Sequence, residues 1–239
     1  AILDGAIFTN ATIENAIFDK ASMQRVNLNH QSIKSTSFKS AILTESSLEG
    51  IHVSDNTSMQ NAIMTSCNLS YSDFEKINLA FVTFENAQIL SAYLCGCNLQ
   101  GANLSQADLS DSHLRHADLN NSILRKAILD NADISGADLT NADLRGAYLT
   151  HTTLYHANLY KVKADQHMFN SAIFDSDDWT HWEIEYPNIT NSNEASQVEN
   201  TSILADLDWI PGDDGSRINW CELNEKLCTD FEESDEPYE

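Results

Sequence analysis

From residue 102 to residue 151 the chain reads ANLSQ ADLSD SHLRH ADLNN SILRK AILDN ADISG ADLTN ADLRG AYLTH. A bulky apolar residue recurs at every fifth position, and a small residue stands two places before it. Stepping back by fives from Leu104 meets Leu99, Leu94, Ile89, Phe84, Leu79, Phe74, Leu69, Met64 and Met59. Stepping forward runs through Leu159 to Ala164, Phe169 and Phe174. A second run of the same period, offset by one residue, extends from Leu3 to Val53. The two runs hold 11 and 24 central positions, all Leu, Ile, Val, Phe or Met except Ala164.

This period excludes an α-helix, because five residues at 100° each would carry successive central residues about 140° around the axis. It also excludes a plain strand, whose side chains alternate with period two. It fits a chain that turns a corner every five residues and points the central residue and the small one inward each time. Ala102, Ala107, Ala117, Ala132, Ala137, Ala142, Ala147, Cys97, Ser112 and Ser122 fit the second position because a narrow coil has little room at its centre.

The repeated A(D/N)LXX motif resembles the pentapeptide-repeat family over residues 1 to about 174. The resemblance implies an all-β fold, a right-handed quadrilateral β-helix with four pentapeptides per coil, so that residues twenty apart stack. The implied core ladders are coherent. One holds Leu104, Leu124 and Leu144, the next Leu109, Leu129 and Leu149, the third Leu114, Ile134 and Leu154, and the last Leu99, Leu119, Leu139 and Leu159. The repeats amount to nearly nine coils, a solenoid about 40 Å long at about 4.8 Å per coil. Each coil buries its core only against its neighbours, so stability is expected to be quasi-one-dimensional.

The pattern departs from itself in three places. Val53 to Met59 is six residues, which predicts a one-residue bulge within 54–58. Val26, Gln31, Thr36 and Ile51 replace the small inward residue and predict wider or distorted coils near the start. Val162 and His167 replace it near the end, where His167 reads as a satisfied core histidine. The first coil opens in mid-repeat at Ala1, so either upstream sequence or an end-to-end homodimer is expected to cover it.

Residues 175–239 form a second unit, an irregular acidic tail. It carries 19 acids against Arg217 and Lys226, leaving 17 acids and 11 bases to the repeat body. It also holds all four Trp. Phe169, Phe174, Trp179, Trp182, Ile184 and Tyr186 are read as a C-terminal cap, with the alternation in WTHWEIEYP laying an apolar face on the last coil. Leu204, Leu207, Trp209 and Ile210 would anchor a later segment. Trp209 and Trp220 are also candidate partner-binding residues, since Trp is enriched at binding hot spots. Residues 188–200 read as a mobile linker and 232–239 as disordered. Cys221 and Cys228 form a disulfide if the chain is exported, or are two free thiols.

A formal charge of −23 argues against direct nucleic-acid binding and against docking on an anionic membrane, because both affinities come from Lys and Arg. No run approaches the roughly 20 apolar residues of a membrane-spanning helix. The chain reads as soluble, with a bacterial cytoplasm favoured and export left open. No catalytic, cofactor-binding or metal-binding residue is assigned. His116 and His156 share an outer column two coils apart, about 10 Å, too far to hold one metal. Cys95 points out and Cys97 in. The Asp before the central residue at 108, 118, 133, 138 and 143 reads as a turn-bonding carboxylate rather than an acid catalyst.

The expected function is a non-enzymatic, protein-binding scaffold whose partner the sequence does not identify. Two alternatives stand beside it. One is DNA mimicry directed at gyrase, as in family members that protect that enzyme from quinolones; against it, the repeat body carries only a small negative excess. The other is a structural module of a larger protein.

Overall fold

The computed structural model describes residues 1–9, 11–54, 56–165 and 168–174, together with three short strands beyond them. The chain folds as a β-helix with four flat sides. Each coil bonds to the next through four parallel ladders, one per side. On face 1 the rungs run from Ile2 through Ser22, Ile42, Ile63 and Thr83 to Asn103, Ile123, Asp143 and Lys163. Face 2 carries Ile7, Asn68, Asp108 and Tyr148, face 3 Asp73, Tyr93, His113 and Asp133, and face 4 Ser58, Asn98, Asp118 and Asp138.

One pentapeptide shows why the chain closes. The Leu104 N–H donates up the stack to the carbonyl of Ile123 (2.7 Å), and the Ile123 N–H donates back to Ala102 (2.9 Å). The Ala107 N–H then donates to the carbonyl of Leu104 (3.1 Å), closing a four-residue turn with Gln106 at φ 59°. A positive φ at the third turn residue defines a type II turn, and it recurs at nearly every corner. Asn, His, Lys and Gly recur at this position, among them Asn61, Asn121, His116 and Gly136. Asn visits the left-handed region readily, and Gly without strain.

The Asp or Asn before the central residue locks the same corner. The Asp108 Oδ1 accepts from the Ser110 N–H (3.0 Å), as Asp118 does from Asn120, Asp133 from Ser135 and Asp138 from Thr140. These carboxylates therefore serve the turn.

Every central residue from Met23 to Phe169 is buried, including all thirteen of Leu99 to Leu159 and the exceptional Ala164. The inward small position admits polar residues because the coil below offers a carbonyl. Cys67 Sγ donates to Leu43 (2.9 Å), Cys97 Sγ to Phe74 (2.7 Å) and Thr152 Oγ1 to Leu129 (2.8 Å). A buried polar group so satisfied avoids the cost of lost hydration. Burial pushes the Cys67 and Cys97 thiols up to about 12.

The stack register is 20 residues up to Asn27↔Ser47, then 21 from Ser37↔Ser58 to His52↔Asp73, and 20 again from Ser58↔Asn78 onward. The extra residue thus lies between His52 and Ser58. Asp55 itself falls outside the described residues. Nearby, the face 3 ladder lengthens into strands β1 (Ile13–Glu14), β2 (Ser32–Lys34) and β3 (His52–Ser54). At the corners that follow β1 and β2, threonine hydroxyls take the place of the usual turn bond. Thr36 Oγ1 donates to Lys34 and accepts from the Ala16 N–H, while Thr57 Oγ1 donates to Ser54 and accepts from the Thr36 N–H. Of the four residues expected to distort the early coils, Thr36 takes part in this exchange and Val26 in a like one, its N–H donating to the Ser46 hydroxyl (3.1 Å), whereas Gln31 and Ile51 keep the usual turn bond, to Leu28 and Leu48 (3.2 Å each).

At the far end, β4 (Val162–Lys163) pairs in parallel with β5 (Ile184–Glu185), in the register Val162↔Ile184 and Lys163↔Glu185. Strands β6 (Ile210–Pro211) and β7 (Arg217–Ile218) pair antiparallel with each other.

Candidate interaction surface

Outward residues of a β-helix stand in rows fixed by the coil spacing, so a functional surface is read row by row. The corner between faces 2 and 3 carries an aromatic cluster. Tyr71, at the positive-φ position of its turn, donates its N–H to the carbonyl of Leu90 one coil up (2.9 Å), which sets these two residues side by side. Two residues on, Asp73, Tyr93 and His113 follow as successive rungs of face 3. The Tyr93 and His113 rings stack, with centroids 5.0 Å apart and planes 15° from parallel. Tyr71 and Tyr93 nevertheless remain 58% and 48% exposed.

Below this cluster, His52 Nδ1 and Asp73 Oδ2 lie 2.7 Å apart. They border a cleft of about 770 Å³ at the register slip, shared with Ser54, Thr57, Ser58 and Lys76. The Ser58 hydroxyl is buried and has no hydrogen-bond partner among the described residues.

Face 1 of the last coils is basic. Arg125 Nε and Arg145 Nη2 both reach Asp143 Oδ2 at 2.6 Å, and Arg145 Nε reaches Oδ1 at 2.8 Å. Burial alone would raise the Asp143 carboxyl, but the two guanidiniums together outweigh it and hold it at about 2. Lys163 follows Asp143 on the face itself, Lys126 stands at the corner that leaves it, and Lys161 stands at the corner that enters it, with its Nζ 5.1 Å from the Tyr160 ring centroid.

A third arrangement joins the corners. A Cβ built on Gly101 would meet Phe81 ring carbons at 2.6 Å, and one on Gly136 would meet the His116 ring at 2.4 Å. Gly50 lies in the same way above His30, Gly96 above Lys76 and Gly146 above Lys126. Each glycine sits one coil beyond a long or ringed side chain in its own column and leaves it a seat.

The residues singled out from the sequence fall as follows. Phe169 is buried, Phe174 and Ile184 are partly buried against the core, and β5 sets Ile184 beside Val162. His167, Trp179, Trp182, Tyr186, Trp209, Trp220, Cys221 and Cys228 lie outside the residues whose side chains are described, as do 188–200 and 232–239. Cys95 is half-buried, with its thiol raised chiefly by burial, while Cys97 is buried. His116 and His156 share their column with Gly136 between them. Among the described residues, no group of three or more His, Cys, Asp or Glu is arranged to hold a metal ion.

The aromatic corner, the basic face and the glycine seats were not singled out in the sequence. Their signal was present: reading each column in steps of 20, with one step of 21, places Tyr93 above Asp73, Arg145 above Arg125 and Gly101 above Phe81.

A four-sided solenoid built of five-residue corners defines a class of repeat protein. The chain belongs to the pentapeptide-repeat family, whose members fold as right-handed β-helices; the model "Pentapeptide repeats" matches in eight copies over residues 1–29, 62–101, 87–125 and 127–163. No curated protein matches the chain significantly. Among solved structures it is similar to a trypsin-treated form of QnrB1, a plasmid-mediated fluoroquinolone resistance protein. That pair is 16% identical, covering 70% of this chain and 91% of the other at a TM-score of 0.45. It is also similar to HetL, a pentapeptide repeat protein involved in heterocyst differentiation regulation, from the cyanobacterium Nostoc sp. strain PCC 7120. There the identity is 24%, covering 72% and 84% of the two chains, at a TM-score of 0.33. The pentapeptide repeat protein Rfr23 from the cyanobacterium Cyanothece 51142 is 30% identical over 48% of this chain and 66% of its own, at a TM-score of 0.20.

Proposed function

We propose that the chain is a non-enzymatic scaffold that binds a protein partner through the corner between faces 2 and 3. The observation that carries this reading is the exposed Tyr71, Tyr93 and His113, with half-buried Leu90 beside Tyr71, on a backbone held by continuous ladders. Tyrosines concentrate binding energy at protein interfaces because they bury much area for few rotatable bonds. The stack on His113 pre-orders one of them, which lowers the entropy lost on binding.

The test uses the full chain as bait in cells of its source, followed by titration of the captured partner. Tyr71→Ala with Tyr93→Ala is expected to weaken binding at least about 10-fold, the scale of one interface hot spot. Tyr160→Ala, on another corner, is expected to leave it unchanged. Equal affinity for all three proteins would contradict the reading.

DNA mimicry directed at gyrase ranks second. It calls for a continuous negative stripe, whereas the acids here divide over the faces: Asp108 on face 2, Asp133 on face 3, Asp118 and Asp138 on face 4, and Asp143 between two arginines on face 1. Salt-sensitive inhibition of purified gyrase by the full chain would reverse the ranking.

A further inference from the structure

Face 1 of the last coils concentrates positive charge in a strongly acidic chain. Arg125, Lys126, Arg145, Lys161 and Lys163 are five of the eleven bases of residues 1–174, and only Asp143 and Asp165 accompany them. The rest of that body holds six bases against fifteen acids. Arg125 and Arg145 share one carboxylate, so their pairing leaves a net positive charge. Arg125 keeps 55% of its side chain exposed. Lys126 and Lys163 are exposed and make no ion pair among the described residues.

The chain itself carries the complementary surface. Residues 175–239 hold 19 acids against two bases. One of their strands lies against this same face: β5 pairs with β4 and sets Glu185 in backbone register with Lys163, one step beyond the column Ile123, Asp143, Lys163. A segment tethered at that step meets the basic face at an effective concentration of about millimolar, far above any acidic partner in solution.

We propose that the acidic segment beyond Glu185 docks on the basic end of face 1, across Arg125, Lys126, Arg145, Lys161 and Lys163. The docked segment neutralises the positive face. Face 3 lies on the opposite side of the coil, so the aromatic corner stays open while face 1 is covered.

The experiment is zero-length carbodiimide cross-linking of the dilute full chain, mapped by mass spectrometry. An equal mixture of unlabelled and ¹⁵N-labelled protein separates links within a chain from links between chains. Within-chain links from Lys126, Lys161 and Lys163 to acids beyond residue 186 are expected several-fold more often than links from Lys20, Lys34, Lys39 and Lys76. They are expected to fall several-fold between about 50 mM and about 1 M NaCl, where the screening length shrinks to about 3 Å. The full-chain variant Arg125→Gln with Arg145→Gln is expected to reduce them with unchanged circular dichroism. Links spread evenly over all the lysines, links mainly between chains, or no links beyond residue 186 would each overturn the proposal.

Discussion

At the scale of single residues, the glycine seat above a large turn side chain is the feature most open to test. Gly101 has φ +64°, and its missing Cβ leaves room for the Phe81 ring. Gly101→Ala is expected to destabilise the full chain by about 1–2 kcal/mol from the left-handed backbone alone, and by more from displacement of the ring. Removing the ring isolates the second part. In a double-mutant cycle read by urea midpoints, Gly101→Ala should cost less in a Phe81→Ala background than in the native one. Equal costs in both backgrounds would show that ring and glycine are independent.

At the scale of the corner and the coil, ionic staples add to backbone ladders. Asp143 is an acid whose folded pKa of about 2 lies below its ordinary 3.8, because Arg145 and Arg125 outweigh its burial. The unfolded chain therefore takes up this proton at a higher pH than the folded one. Its contribution, about 2 kcal/mol, is complete above about pH 4 and is lost as pH falls towards 2. Asp143→Asn can keep Oδ1 as the acceptor for its own turn, while it removes the charge and replaces Oδ2, the acceptor that both arginines share, by an amide group that donates. It should lower the urea midpoint at pH 7 and converge on the native chain near pH 2; a midpoint difference that persists unchanged at low pH would contradict the assignment. The corner itself was legible in the sequence, since the period of five, the small inward residue and the Asp or Asn before the centre each follow from one pentapeptide. The threonine hydroxyls that span coils at Thr36 and Thr57 were not, because each is set by a residue 20 or 21 places away. The same holds for Gly101 above Phe81. Within a single repeat, a glycine at a type II turn is explained by its φ, and nothing local points to a second reason.

At the scale of the whole molecule, the body is a prism whose sides differ more than its repeat suggests. Charge summed over 1–174 conceals a basic end on face 1, and summed aromatic content conceals the corner at Tyr71 and Tyr93. Both emerge only when residues are sorted by column, and sorting requires the slip between His52 and Ser58. A reading in strict steps of 20 across that point would pair Ser37 with the buried Thr57 and set the later outward rungs on inward positions, such as Ile42 on Ala62 and Ser47 on Cys67. Every row described above depends on the coil register, and disulfide closure between outward rungs probes that register, since a disulfide needs Cα atoms about 4.4–6.8 Å apart. In the full chain, with bridges mapped by mass spectrometry after mild oxidation, Thr83→Cys with Asn103→Cys should close, and so should Ser37→Cys with Ser58→Cys, 21 residues apart. Closure of Ser37→Cys with Thr57→Cys instead, or of neither outward pair, would contradict the stack of coils on which the account rests.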